Sequence, residues 1–172
     1  MDETLALAFL NYSAEKLEQL AGRIEDCAGK LSLEQIWLRG GEQQNAVGNL
    51  ILHLSGNVRQ WIISAVGGQP DVRRRDAEFA ARGEVGREEL LARFRATVAE
   101  AVAVIRTVSP RRLAEIVDVQ NYHITVMEAI YHVVEHFSQH TGQILFVTKL
   151  FTGQDLGYYR HLSAPARRET VP

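Results

Sequence analysis

Long stretches of helical hydrophobic periodicity, separated by glycine and proline, constrain the fold of this chain more than any other feature. Between residues 3 and 28 the apolar positions recur at a spacing near 3.6, which is typical of one long amphipathic helix. Comparable patterns predict helices over residues 43–66, 87–108 and 125–151. The expected ends of the four helices fall at Gly29, Gly67-Gly68, Ser109-Pro110 and Gly153.

The segments between these helices are long. Residues 30–42 are predicted to be irregular, residues 69–86 to form a polar, arginine-rich connection, and residues 114–124 to form a short hairpin or extended loop. Because each long helix has one apolar stripe, the four stripes are best buried against one another. We therefore predict an all-α protein, a four-helix bundle with long crossover connections, as a single domain over residues 1–172 with a flexible tail from about residue 162.

The fourth helix has the clearest predicted start. Thr125 is followed three residues later by Glu128, which fits a capping box. In this motif each side chain bonds a backbone N–H that the helix end leaves free. We therefore expect the fourth helix to begin directly after Thr125.

Composition and charge argue against several classes of function. With 46% hydrophobic and 23% charged residues, the chain can build a packed core. A formal net charge of −2 provides no electrostatic basis for binding nucleic acid or an anionic membrane, and no apolar run approaches the roughly 18 residues of a membrane span. The N-terminal residues lack a signal-peptide pattern, and the single cysteine, Cys27, fits a reducing compartment. We expect a cytoplasmic protein without nucleic-acid or membrane partners.

Residues that can bind a metal are concentrated near the C-terminus. His132, His136 and His140 follow one another at four-residue steps, so they share one face of the fourth helix. His53 lies among apolar residues of the second helix, on its expected buried face. His132 and His140 are about 12 Å apart along the helix axis, too far to share one ion. The spacing therefore leaves two ligand pairs open, His132 with His136 or His136 with His140.

Imidazoles projecting from facing helices of a bundle can hold a transition metal in its core. Three neutral imidazoles leave a fourth coordination position open, which is typical of a catalytic zinc site. Nickel and iron accept the same donors, so the residues do not select the metal. The open position would take water, a substrate group or a thiolate.

Several neighbouring polar residues have two interpretations. His53 by itself would more often be a hydrogen-bonded core residue than a ligand. Asn49 and Asn57, each four residues from His53, either orient a ligand or lie at a helix seam. Glu135 is expected to face solvent. The loop residues Asp76, Glu78 and Phe79 are placed where they could close over a site, although no spacing requires it.

Two segments resemble the DinB-like superfamily of metal-binding four-helix bundles. The first segment runs from Asn49 through His53 to Asn57, with Trp61 beyond it. The second segment is similar to the superfamily's His-x-x-x-His followed by Gly-Gln-Ile, and it reads His136-Phe-Ser-Gln-His140-Thr-Gly-Gln-Ile144. The loop Arg73-Arg-Arg-Asp-Ala-Glu-Phe79 resembles a branch of the superfamily whose function is uncharacterised. The resemblance implies a DinB/YfiT-like metalloenzyme fold.

The resemblance also selects a ligand set. Carried over to this chain, the superfamily's triad around a divalent metal is His53, His136 and His140, because Thr141-Gly142-Gln143 follows directly and places His132 one turn earlier. Better understood members resemble glutathione-transferase analogues that use bacillithiol or mycothiol activated by the metal. The cofactors implied are zinc, nickel or iron together with a low-molecular-weight thiol.

Three functions are expected in descending order. The first is a metal-dependent thiol transferase acting on a small-molecule electrophile. The second is a metal-dependent hydrolase with Glu135 as base, and the third is a non-catalytic, metal-binding stress-response module. The chain has no Gly-rich phosphate loop, Gly-x-Ser-x-Gly elbow or Cys-x-x-Cys, which argues against nucleotide hydrolysis and nucleophilic triads. By analogy with other bundles, a homodimer is expected through Phe146, Leu150 and Phe151.

Overall fold

Helices account for most of the structure, a computed structural model that describes residues 2–163. A two-stranded hairpin interrupts them, and short 3₁₀ turns lie at Pro110–Ala114 and Arg160–Ser163. The elements in chain order are α1 (Glu3–Lys30), α2 (Leu33–Trp37), α3 (Val47–Val58), a π-helical segment (Arg59–Val66), α4 (Arg75–Ala80), α5 (Arg87–Thr107), β1 (Ile116–Val119), β2 (Tyr122–Thr125) and α6 (Val126–Thr152).

The four long helices form a bundle in which α1 and α3 lie diagonally opposite each other. Both of these helices pack against α5 and against α6. Each long helix contributes fully buried apolar side chains to the shared core, because each has a single apolar stripe to bury. Examples are Leu17, Ile51, Phe94 and Phe137. The predicted all-α four-helix bundle with long connections is confirmed.

The predicted start and end of the fourth helix are also confirmed. The backbone N–H of Glu128 donates to Thr125 Oγ1 over 3.2 Å, and the N–H of Thr125 donates to Glu128 Oε2 over 2.7 Å. The helix ends at Gly153, whose φ of 65° is the left-handed conformation that glycine adopts without strain.

The connection between α5 and α6 contains the hairpin. Strands β1 and β2 pair antiparallel, with Ile116 opposite Thr125 and Val119 opposite Tyr122. The two turn residues, Gln120 and Asn121, have φ values of 50° and 65°, as a tight two-residue hairpin turn requires. Of the two predicted alternatives for residues 114–124, the structure has the hairpin.

Two of the predicted segments need correction. Helix α1 passes through Gly29 to Lys30, because one helical glycine costs only about 1 kcal/mol and Cys27, Ala28 and Leu31 nearby are buried. Residues 30–42 are not irregular throughout, since Ser32 and Gln35 form a capping box that starts α2. The predicted connection over residues 69–86 also contains a short helix, α4, which has acidic residues in its first turn, where the helix dipole favours them.

The predicted helix over residues 43–66 is shorter and changes type. It begins at Val47, and from Arg59 it continues as a π-helix to Val66. Most side chains of this segment are buried, namely Trp61, Ile62, Ile63, Ser64 and Val66. A pattern that is apolar nearly all round does not distinguish an α-helix from a π-helix, so the sequence could not predict this change.

Almost all of the tail predicted to be flexible, from about residue 162, lies outside the described residues. Within residues 2–163, none of the helices combines the length and the apolar character needed to cross a membrane.

Candidate metal centre

Three histidine rings meet where α3 faces α6. His136 Nε2 lies 3.1 Å from His53 Nε2 and 2.9 Å from His140 Nε2. One ligand nitrogen from each ring lies within 4.8 Å of the other two. Nitrogens bound tetrahedrally at 2.0–2.1 Å from a zinc ion would be about 3.3 Å apart. The two separations from His136 Nε2 are therefore close to those that a metal would impose.

The helices explain this convergence. His136 and His140 are four residues apart on α6, so their rings project from the same face. His53 lies on the buried face of α3, where only 8% of the residue is exposed. His132 is not part of the group, since its ring stacks on Trp61 with the centroids 3.8 Å apart. Of the two pairs left open by spacing, the structure brings His136 and His140 to His53.

Hydrogen bonds on the outer nitrogens orient two of the rings. His53 Nδ1 lies 3.1 Å from Glu78 Oε2, and His140 Nδ1 lies 2.7 Å from Gln143 Oε1. Both oxygens accept hydrogen bonds, so these contacts favour rings that carry their hydrogen on Nδ1. The Nε2 lone pairs of His53 and His140 then face His136 Nε2.

Hydrogen bonds between the rings cannot satisfy the inner nitrogens. An imidazole nitrogen has either one hydrogen or one lone pair, so His136 Nε2 can make a hydrogen bond in only one of its two close contacts. His136 Nδ1 is also buried, and it has no hydrogen-bond partner among the residues described. A cation among the three lone pairs would satisfy every inner nitrogen. The donor set therefore fits a divalent transition metal.

Burial keeps the rings of His136 and His140 neutral. Burial, together with the neighbouring His140 and His53, lowers the pKa of His136 to about 3. Burial also lowers the pKa of His140, although the hydrogen bond to Gln143 opposes that shift. Metal ligation requires deprotonated imidazole nitrogens. At neutral pH no proton has to be displaced from His136 or His140 before a metal binds.

A buried ion pair lies beside His53. Arg73 Nε donates to Glu78 Oε1 over 2.8 Å, and Arg73 Nη2 donates to Glu78 Oε2 over 2.8 Å. Burial raises the pKa of Glu78, but hydrogen bonds from Arg73 and His53 outweigh it, so the net pKa lies below the ordinary value. Glu78 is therefore an ionised carboxylate. The sequence placed Glu78 only in a loop that could close over the site, and Arg73 was missed because no local spacing connects it to His53.

Asn49 holds the segment that carries Glu78. Its Nδ2 donates to the backbone oxygens of Glu78 and Ala81 over 2.9 and 3.0 Å, and its Oδ1 accepts from Arg39 Nη2 over 2.8 Å. Asn49 thus supports the site through the backbone and not by orienting a histidine. Phe79 covers His53, with the ring centroids 4.8 Å apart.

The sequence suggested that Asn57 could orient a ligand and that Asp76 could close over the site. Asn57 is buried, and its Oδ1 has no hydrogen-bond partner among the described residues. Asp76 is exposed and does not close over the triad.

A cavity lies next to the triad and is lined by His140. This cavity has a volume of about 510 Å³, comparable to small-molecule sites in other proteins. Its walls combine side-chain amides with apolar groups. They comprise Gln43, Gln44, Asn45, Gln143, Leu50, Phe146, Val147 and Leu150, beside His140. Among the residues that the structure describes, no carboxylate, lysine or arginine lines it.

Glu135 is separated from this cavity. It is exposed and lines a different cavity, together with Lys16 and Arg23. The structure therefore places Glu135 where the expected base of a hydrolase would not reach the cavity next to His140.

Comparisons with known proteins agree with this architecture. A family model described as "Protein of unknown function (DUF1572)" matches residues 4–168. A conserved protein from Enterococcus faecalis has a similar structure, with a TM-score of 0.67 at 16% identity over 83% of this chain and 96% of that one. The DinB-like protein YjoA from Bacillus subtilis superposes with a TM-score of 0.66 at 14% identity over 86% and 96%. None of the curated proteins matches this chain.

Proposed function

The chain belongs to the family described as "Protein of unknown function (DUF1572)", a branch of the DinB-like superfamily, and from this premise we propose that it is a metal-dependent enzyme. His53, His136 and His140 would hold one divalent transition metal: zinc, nickel or iron. The observation that carries the proposal is the convergence of three Nε2 atoms that hydrogen bonds among the rings cannot satisfy.

The reaction proposed is transfer of a thiol sulfur to a small electrophile, with a bacillithiol- or mycothiol-type cofactor. The metal, when bound, supplies the Lewis acidity that makes a thiol available as thiolate near neutral pH. In the transfer, sulfur forms a bond to an electrophilic carbon, the leaving group departs from that carbon, and the thiol proton passes to solvent. The protein's part is to keep His136 and His140 unprotonated and to hold the reactants in the cavity beside His140.

The lining of that cavity indicates which thiol would fit. Its amide side chains suit hydroxyl and amide groups, and Leu50 and Val147 suit an apolar portion. A carboxylate on the part of the thiol away from the metal would meet no cationic side chain among the described lining residues and would lose solvation. We therefore favour an uncharged, hydroxyl-rich thiol over one that carries carboxylates.

The first test is the metal content of the purified protein and of two histidine variants. We expect about one equivalent of metal in the wild type and in His132→Ala, and none in His136→Ala. His132→Ala is the matched control, because His132 lies one turn away on the same helix but outside the triad. Loss of metal from both variants, or from neither, would contradict the proposed ligand set.

The second test separates thiol transfer from its alternatives. Cobalt-loaded protein should develop a sulfur-to-cobalt charge-transfer band with 1-thioglycerol, and a weaker band with mercaptosuccinate at the same concentration. Turnover of an electrophile panel should require added thiol. Turnover without thiol would indicate a hydrolase, and metal binding without any turnover would indicate a non-catalytic module.

A further inference from the structure

We propose that Glu78, held by Arg73, is a positioning residue that keeps the ring hydrogen of His53 on Nδ1. The Nε2 lone pair of His53 would then face His136 and His140. This arrangement would prepare His53 to bind the metal, so its role in the protein rests on the proposed metal centre. The position of the hydrogen, however, is a property of the metal-free protein, so the two proposals can be tested separately.

The first observation is that Arg73 is fixed on every side. Its side chain is only 3% exposed. Besides its two bonds to Glu78, Arg73 donates from Nη1 to Gln60 Oε1 over 2.9 Å. Gln60 Oε1 also accepts from Gln120 over 2.6 Å, and Gln60 Nε2 donates to Asp71 over 2.6 Å. A hydrogen-bonded chain therefore links the hairpin turn and the π-helical segment to the carboxylate beside His53.

The second observation is that helix α3 leaves a space shaped for this carboxylate. Gly56 lies three residues after His53. A Cβ atom there would lie 1.9 Å from Glu78 Oε1 and 3.0 Å from Arg73 Nε. The carboxylate thus rests directly on the helix backbone, and any larger residue at this position would displace it. The missing side chain at position 56 makes room for the carboxylate in the position where it contacts His53.

A competing arrangement has to be weighed, because Arg73 Nη2 also lies 3.1 Å from His53 Nδ1. If Arg73 donated to Nδ1, the hydrogen of His53 would sit on Nε2 and point into the triad. Arg73 Nη2 carries two hydrogens, so its bond to Glu78 Oε2 at 2.8 Å does not by itself exclude this arrangement. The other rings decide between the two: His140 Nδ1 donates to Gln143 Oε1, which leaves His140 Nε2 as an acceptor for an N–H on His136 Nε2, 2.9 Å away. His53 Nε2 lies 3.1 Å from His136 Nε2, which carries that N–H, so a lone pair fits there and a second hydrogen does not. The geometry therefore favours His53 as donor from Nδ1 to Glu78.

The test removes the acceptor without leaving a buried charge. Arg73→Met/Glu78→Leu replaces the whole ion pair by apolar groups, a change that buried pairs often tolerate. Arg73→Met/Glu78→Gln is the rescue variant, because it restores an amide oxygen as acceptor for Nδ1. Gly56→Ala displaces the carboxylate while every charged group remains. Gly22→Ala in α1 is its control, since a Cβ there meets nothing within 4 Å.

Two readouts are needed. Long-range ¹H–¹⁵N spectra of metal-free protein at pH 7.5 show which ring nitrogen of each histidine carries the hydrogen. Competition with a chromophoric chelator measures the affinity for zinc. Circular dichroism of each variant shows that the fold is retained.

We expect His53 to carry its hydrogen on Nδ1 in the wild type, in Gly22→Ala and in the rescue variant. Gly56→Ala and the Met/Leu variant should lose that preference and bind zinc 10–100-fold more weakly. A wild-type His53 with its hydrogen on Nε2, or wild-type zinc affinity in Gly56→Ala, would overturn the inference. If His53 carries the hydrogen on Nδ1 but the wild type binds no metal, the positioning role stands and the metal centre fails.

Discussion

At the scale of single residues, the surroundings of each histidine decide what it can do. His132, His136 and His140 occupy equivalent positions on one helix, but their rings meet different partners. The ring of His132 stacks on Trp61, whereas those of His136 and His140 meet His53. Burial lowers the pKa of all three α6 histidines. The strongest depression belongs to His136, which lies between the other two rings of the triad.

The depressed pKa of His136 predicts a pH dependence of stability. In the unfolded chain its pKa returns to the ordinary value near 6.5, against about 3 in the folded protein. Between these values the unfolded state binds a proton that the folded state does not, so stability falls as the pH drops below 6.5. Urea denaturation of metal-free protein at pH 7.5 and at pH 5 should show this loss, and it should be smaller in His136→Ala.

The matched control is His123→Ala. His123 is exposed, and its Nδ1 lies 2.8 Å from Asp118 Oδ1. Neither residue belongs to the triad. This variant should keep the wild-type loss of stability between pH 7.5 and pH 5. Equal losses in His136→Ala and in the wild type would show that the triad is not the source.

At the scale of elements, α6 and α3 position the triad in different ways. Helix α6 presents two candidate ligands through its own periodicity, and its capping box fixes where that periodicity begins. Helix α3 presents one histidine, and its continuation as a π-helix places Trp61 against His132. The wider turn of a π-helix is often found at functional sites.

The cap of α6 predicts a local loss of stability. Thr125→Ala removes an acceptor for the N–H of Glu128 and a partner of the Glu128 carboxylate. We expect the free energy of unfolding to fall by about 1 kcal/mol. Thr125→Ser retains the hydroxyl and should remain close to wild type in urea denaturation. A Thr125→Ala protein as stable as Thr125→Ser would show that the cap contributes little.

At the scale of the whole molecule, the candidate site joins two helices that are far apart in the sequence. Helices α3 and α6 pack together, α3 also packs against α5, and α6 also packs against α1. The segment that follows α6 packs against α1, where the Tyr158 hydroxyl donates to Asp26 Oδ2 over 2.6 Å. A ligand shared by His53 and the α6 histidines would therefore stabilise the bundle as a unit.

Metal binding should raise the melting temperature. A ligand that binds only the folded state stabilises it by about 2.7 kcal/mol when its free concentration is 100 times its Kd. We expect zinc to raise the Tm of metal-free wild type and of His132→Ala by several degrees. His136→Ala should show no such rise. An equal shift in His136→Ala would indicate binding elsewhere on the protein.

The homodimer remains a proposal. Two of the three residues expected to form its interface are exposed in the structure, and the third is not. Phe146 and Leu150 are 70% and 68% exposed on α6, whereas Phe151 is half-buried and packs against the core. Light scattering of wild type should give twice the chain mass if this surface pairs. Phe146→Glu/Leu150→Glu should then give a monomer, while Leu5→Glu, a change at another exposed leucine, should not.

Much of the architecture could be predicted from local patterns. Helical periodicity, the Thr125 cap and the Gly153 end depend on residues a few positions apart, so they are readable along the chain. Short elements such as α2 and α4 were missed, because their few residues show no periodicity and their stability depends on tertiary contacts.

The sequence by itself determined four amphipathic helices and the imidazole chemistry of one helix face. Spacing alone left two ligand pairs open, and resemblance to the DinB-like superfamily selected one. Only the tertiary structure decided that His53 meets His136 and His140, and that Arg73 and Glu78 lie behind His53. The physical reason is that helix formation depends on neighbours within a turn or two, whereas the convergence of these side chains depends on how distant helices pack.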